Sequence, residues 1–149
     1  MPARPLDSLG ATGKFTRERR VRRRREYTRI HEAGRRIHTA SFTVIACPRA
    51  DDGSGARLGC AVSRRVGNAV VRNRVRRLLK EIFRRFAAEL PAFDLVVIAK
   101  PEAAAVGAAG LEAMAAELIP AFARAVRPRD DGGDRRPPRA RPRGEKGRR

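Results

Sequence analysis

The segment from Gly67 to Arg85, GNAVVRNRVRRLLKEIFRR, constrains the fold more than any other part of the 149-residue chain. At 100° per residue, Val71, Val75, Leu78, Leu79, Ile82 and Phe86 fall on one side of a helix. Asn73, Arg74, Arg76, Arg77, Lys80, Glu81, Arg84 and Arg85 fall on the other, with Arg72 at the border. Asn68 stands as an N-cap and Leu90-Pro91 closes the pattern, so the predicted helix runs from Ala69 to Ala88. Its apolar side must bury in a core. Its other side concentrates more like charge than a solvated face needs, which suits a polyanion, nucleic acid being the commonest.

The remaining charge is placed unevenly around this helix. The formal net charge is +19. Residues 1–38 hold 12 basic and 4 acidic groups, residues 64–85 hold 9 and 1, and residues 127–149 hold 10 and 4. Residues 39–63 balance at 2 and 2, while residues 86–126 hold 2 basic and 5 acidic groups. Such asymmetry points to a nucleic-acid face more than to general solubility. Of the 35 basic residues, 31 are Arg, which grips phosphate bidentately and stacks on bases as Lys does not. A GC-rich genome also favours Arg, but it does not dictate where the charge sits.

The pattern of elements predicts an α+β fold in a single compact domain, ordered α-β-β-(β)-α-β-α, with one three- or four-stranded sheet packed by helices. Residues 17–126 form this RNA-binding domain. Residues 1–16 lack periodicity and read as a flexible basic tail; residues 127–149, rich in Arg, Pro and Gly, read as disordered. A first helix, clear from about Arg24, carries Tyr27 and Ile30 and stops at Gly34. Arg22, Arg23, Arg24 and Arg25 stand at its start, where positive charge opposes the helix dipole, so phosphate contact explains them better than folding does. Residues 41–47 alternate as a strand: Phe42, Val44 and Ala46 point one way, Thr43, Ile45 and Cys47 the other. Residues 57–63 follow a loop and are predicted to complete an antiparallel hairpin with them. In this second strand Leu58, Cys60 and Val62 share a face, and Gly59, Ala61 and Ser63 make the opposite face small. A small face is either covered by a helix or open to an extended ligand chain. Residues 93–100, FDLVVIAK, read as a central strand closed by Pro101. After a small-residue loop, Leu111, Met114, Leu118, Phe122 and Ala125 mark a last helix, which Pro120 should kink or divide.

Chemistry of the chain's own is hard to assemble. The acids Asp51, Asp52, Asp94, Glu112 and Glu117 are scattered, whereas metal-dependent hydrolysis needs convergent carboxylates. His31 and His38 lack a neighbouring lysine for metal-free RNA cleavage. Cys47 and Cys60 have no partners at metal-ligand spacing and suit a reducing compartment. Neither a phosphate-binding loop nor a dinucleotide fingerprint occurs. No apolar run approaches the roughly 18 residues of a membrane span, and no secretory signal opens the chain, so a cytoplasmic location away from membranes is expected. The chain is predicted to bind RNA or DNA without cutting it alone.

Asn68, Ala69, Val70, Arg72, Asn73, Arg76 and Arg77 resemble the signature of the bacterial ribonuclease P protein subunit. The similarity extends over about residues 17–126. It takes in the basic run, Tyr27, Ile30, Gly34 and Phe42, the strand ending Ser63-Arg64-Arg65-Val66-Gly67, and the strand Phe93–Lys100 with its closing helix. The resemblance implies a left-handed βαβ crossover. It also implies a holoenzyme in which a catalytic RNA, with its Mg²⁺ ions, cleaves the 5′ leader from precursor tRNA. The protein supplies no catalytic side chain, binds no metal itself and needs no obligate protein partner. By the same resemblance Arg72, Asn73, Arg74, Arg76, Arg77 and Lys80 face the catalytic RNA. Tyr27, His31, Thr43, Ile45, Ala61 and Ser63 form a groove for the single-stranded leader, with Arg22, Arg23, Arg24, Arg25, Arg64 and Arg65 supplying charge. Tyr27 alternatively serves as a core aromatic. His31 stands where the family usually has an aromatic or apolar residue, and Ile45 where some relatives carry Tyr. A small ribosomal or RNA-chaperone protein without enzymatic role is the competing reading. A DNA-architectural protein would need a wedge or arm for the minor groove, and none is evident.

Overall fold

The computed structural model describes residues 19–49 and 55–127. The expectations for residues 1–16, and for 127–149 apart from Arg127, fall outside the described residues. The elements are α1 (Arg24–Ala33), β1 (Arg35–His38), β2 (Phe42–Pro48), β3 (Arg57–Ala61), α2 (Ala69–Phe86), a short 3-10 turn (Ala87–Glu89), β4 (Phe93–Ala99), α3 (Ala103–Ala109) and α4 (Leu111–Ala125).

One four-stranded sheet has the order β1-β2-β4-β3. Strands β1 and β2 pair antiparallel, as do β2 and β4, while β3 and β4 run parallel with α2 as their crossover. The predicted hairpin between residues 41–47 and 57–63 does not form. Strand β4 inserts between them, because its apolar run suits burial on both faces. The actual hairpin is β1–β2. Strand β1 escapes sequence reading because it is four residues long and three of them, Arg35, Arg36 and His38, are polar.

The two sheet faces follow the period-two division of β2. Phe42, Val44 and Ala46 join Leu58, Leu95, Val97 and Ala99 in the main core, beneath Val75, Leu79, Ile82, Phe83 and Phe86 of α2 and Met114, Leu118 and Phe122 of α4. Phe86 and Phe122 stack with ring centroids 6.2 Å apart. The second face carries Ile45, Cys47 and Val96, and α1 lies on it through Ile30, with Val21 from the preceding segment. The first helix therefore occupies the face opposite α2.

Local details complete the frame. Asn68 Oδ1 accepts a hydrogen bond from the Val71 amide at 3.0 Å, the expected N-cap of α2. Gly34 ends α1 with φ −77° and ψ 152°, so its role is not left-handed geometry. A Cβ there would stand 2.5 Å from Ile45 Cγ2, and close approach of chain to sheet is what demands glycine. The supposed loop before the last helix is α3, whose sequence AAAVGAA is too uniformly small to show a period. Pro120 neither ends nor divides α4. Both it and Ala116, whose carbonyl loses the proline donor, are exposed, so water can serve that carbonyl.

Candidate nucleic-acid interface

Cross-strand register arranges the α1 side of the sheet in three rows. They are Cys47–Asp94–Arg57, Arg36–Ile45–Val96–Gly59 and His38–Thr43–Ile98–Ala61. Helix α1 covers the first two and leaves the third as the floor of a groove. Along that floor His38 is exposed, Ile98 and Ala61 are half-buried, and Thr43 lies under His38, whose Nδ1 is 3.2 Å from Thr43 Oγ1. Tyr27 and His31, one turn apart on α1, edge the groove.

An ionic clasp fixes α1 in place. Asp94, fully buried, receives Arg29 Nη2 at 2.5 Å, Arg57 Nε at 2.6 Å and Arg57 Nη2 at 2.8 Å. Arg57 Nη1 also reaches Glu26 Oε1 at 3.2 Å, and Arg29 donates to the Pro48 carbonyl at 2.9 Å. Two arginines from α1 and β3 thus converge on one carboxylate of the central strand. Glu26 Oε2 accepts from the backbone amides of Arg22 and Arg23, at 3.2 and 3.1 Å. Burial pushes the Glu26 carboxyl up, but these amides and the Arg57 charge outweigh it and hold the group below its ordinary value. The acid in the first turn offsets the unfavourable placement of the arginine run at the positive end of the helix dipole.

The predicted leader-groove residues separate on this frame. Thr43, Ala61 and His31 lie at the groove, and Ser63, Arg64 and Arg65 follow β3 as an exposed turn. Ile45 does not: it is fully buried beneath α1, where Gly34 packs against it, and so supports the helix instead of lining the groove. Tyr27 is half-buried, and a Cβ on residue 59 would come within 2.6 Å of its hydroxyl, so one part of the ring rests on Gly59. Burial raises the pKa of its phenol. The arginine run also divides. Arg22 lies near Tyr27, whereas Arg24 and Arg25 share the outer surface of α1 with Thr28 and Glu32. Two contributors escape the sequence reading: Ile98, because β4 is not expected between β2 and β3, and His38, because β1 is not recognised.

Helix α2 keeps its two-sided character. Asn73, Arg74 and Arg77 are exposed. Arg76 donates to the Val62 carbonyl and to Asn73 Oδ1, both at 3.3 Å, which orients its guanidinium along β3. Arg76 and Lys80 border a cavity of about 180 Å³ shared with Arg20, Arg22, Tyr27 and Gly59. Cys60 also lines it; burial pushes its thiol up to about 11, against the lowering pull of Lys80, Arg76 and Arg20. Arg84 and Arg85 bond to Glu81, at 2.6 and 2.8 Å, so the far end of the basic face is partly neutralised. Among the described residues no carboxylate pairs with Arg72, Arg74, Arg76, Arg77 or Lys80. The uncompensated charge is therefore confined to the first three turns of α2, beside the groove.

Comparison with known proteins decides the family. A family profile described as ribonuclease P matches residues 15–125. The chain belongs to the ribonuclease P protein family. Its place is in the ribonucleoprotein that processes the 5′ end of tRNA. The ribonuclease P protein component of Desulfovibrio desulfuricans is 51% identical over 114 residues, covering 74% of this chain and 85% of the relative. That of a Geobacter species is 33% identical over 113 residues, covering 76% and 93%. The ribonuclease P protein of Thermotoga maritima superposes with a TM-score of 0.62 at 30% identity, over 70% of this chain and 96% of the other. The Staphylococcus aureus protein gives 0.63 at 26%, over 73% and 98%. Among the described residues no helix is long and apolar enough to cross a membrane, and no group of three or more His, Cys, Asp or Glu could hold a metal ion.

Proposed function

We propose that this ribonuclease P protein works by binding, with its two basic surfaces assigned to different RNAs. The first three turns of α2, through Arg72, Asn73, Arg74, Arg76, Arg77 and Lys80, dock the catalytic RNA by contacts to phosphates and 2′-hydroxyls. The groove between α1 and the sheet takes the single-stranded 5′ leader of precursor tRNA. Thr43, Ala61 and Ile98 form its floor, Tyr27 and His31 its wall, and Arg22, Arg64 and Arg65 its charge. Stacking of a base on an aromatic such as Tyr27 is worth roughly 1–3 kcal/mol and demands no particular sequence. Favouring a substrate that has a leader over a product that lacks one follows from this arrangement.

Hydrolysis belongs to the RNA and its Mg²⁺ ions. Among the described residues the most buried acids are committed elsewhere: Asp94 to Arg29 and Arg57, Glu26 to Arg57, Glu81 to Arg84 and Arg85, and Glu117 to Thr39 and the Ser41 amide. The protein contributes instead by screening the repulsion between two polyanions. The observation that carries the reading is the pairing of an unneutralised helix face with an adjoining groove whose floor joins the apolar Ile98 and Ala61 to Thr43. The test mixes the protein with a bacterial ribonuclease P RNA and precursor tRNA at low Mg²⁺. Cleavage at the mature 5′ end should be enhanced over the RNA alone; unchanged cleavage removes the proposal and favours an RNA-binding protein without an enzymatic partner.

A further inference from the structure

Sequence reading ends the groove at β2, but the register carries it one strand further. His38 is paired with Thr43, and Thr43 shares its row with Ile98 and Ala61, so all four side chains lie on the groove face. Its neighbour Ile37 points into the main core, which confirms the alternation along β1. The fold itself asks nothing of His38: the residue is exposed and belongs to neither apolar cluster. Its ring is nevertheless oriented, because Nδ1 lies 3.2 Å from Thr43 Oγ1. No other partner for it exists among the described residues. Arg36, on the same face of β1, reaches the His31 carbonyl at 3.2 Å and brings positive charge to this end of the groove.

We propose that His38 is a leader-contacting residue at the distal end of the groove, so that the leader crosses all four strands from β3 to β1. This rests on the groove reading given above. The direction follows from chain order, since β3 leads through Ser63–Gly67 directly into the helix that docks the catalytic RNA. Cleavage therefore occurs near β3, and nucleotides progressively farther from the cut pass over β4, β2 and β1. Three strand spacings of about 4.8 Å make about 14 Å between Ala61 and His38. At the 3.4 Å rise of a stacked strand that distance takes about four nucleotides. The oriented imidazole offers one of the last of these a ring to stack on and a free Nε2 edge to bond with.

The experiment measures the affinity of the holoenzyme, reconstituted from full-length protein and a bacterial ribonuclease P RNA, for precursor tRNAs with leaders shortened one nucleotide at a time. His38→Ala should lower affinity about tenfold for long leaders, the loss expected from one stacked base. It should change nothing for the shortest leaders or for mature tRNA. His38→Phe should recover most of the loss, and His38→Asn, which can still bond Thr43, should not. Tyr27→Ala should weaken short and long leaders alike. If His38→Ala is neutral at every length while Tyr27→Ala still weakens leader-bearing substrate, the distal extension is wrong and the groove stands. If both are neutral, the groove reading itself is wrong. A His38→Ala loss that is equal on mature tRNA also overturns the inference, because the contact would then not be to the leader.

Discussion

Asp94→Asn tests whether the clasp beneath α1 holds the groove wall. The substitution keeps the shape of the side chain and removes its charge. Three short hydrogen bonds, at 2.5, 2.6 and 2.8 Å, lose their anionic acceptor, and two guanidiniums are left facing each other across a neutral amide. Removing one partner of a buried ion pair costs about 3–5 kcal/mol. Asp94 has no exposure, but the side chains of Arg29 and Arg57 retain 31% and 13%, so both can recruit some water. The lower end of the range, about 3 kcal/mol, is therefore expected. For a domain of this size that corresponds to a fall in Tm of about 12 °C. Thermal melts of the wild type, Asp94→Asn, Arg29→Met and the double variant would measure it as a cycle. Coupling should be large, because the second substitution removes a charge already stranded by the first. A fall of less than about 4 °C, or strictly additive losses, would refute the assignment of stability to this clasp.

The other predictions concern charge, packing and pH. Arg74→Ala with Arg77→Ala should weaken association with ribonuclease P RNA and reduce the slope of log K against log salt by about 1 for each lost phosphate contact; an unchanged slope takes this face out of the interface. Gly59→Ala should displace the Tyr27 ring, since the new methyl would stand 2.6 Å from its hydroxyl, and should weaken leader-bearing substrate more than mature tRNA. Equal affinities would show that the ring position does not matter. The Glu26 carboxyl is held below its ordinary value in the folded protein, so its contribution is complete above the unfolded value and is lost as pH falls through the folded one. Denaturant melts should accordingly show Glu26→Gln less stable than wild type at neutral pH, with the gap closing in strong acid; a constant gap contradicts the assignment.

What could be read in the sequence depended on how far apart the interacting residues lie. Helix α2 was legible because one segment contains both its apolar stripe and its basic face, and Asn68 marks its start. Its buried side also includes Phe83, which widens the apolar stripe beyond the residues first assigned. The alternation of Phe42 to Cys47 correctly divided the two faces of β2, since that division is internal to one strand. Strand partnership was not legible. Proximity in sequence favours β2 with β3, whereas the centre of the sheet goes to the two strands buried on both sides, β2 and β4, and the half-buried β3 goes to the edge. The same error hid Ile98 from the groove, whereas Ile45 leaves it because α1 covers that part of the β2 face, which nothing local to the strand reveals. The Asp94 clasp was invisible for a related reason: Arg29, Arg57 and Asp94 come from three separate elements, and nothing local distinguishes them from solvated charges.

The central position of β4 also governs when the protein becomes able to work. On a ribosome, β1, β2, β3 and α2 emerge before residues 93–99, yet β2 and β3 have no direct pairing with each other. A nascent chain therefore exposes its arginine-rich helix while the proposed leader-binding surface is still in two disconnected parts. On the proposed reading, selection of substrate over product arises only when the strand carrying Asp94 arrives, joins both halves and gives α1 its anchor.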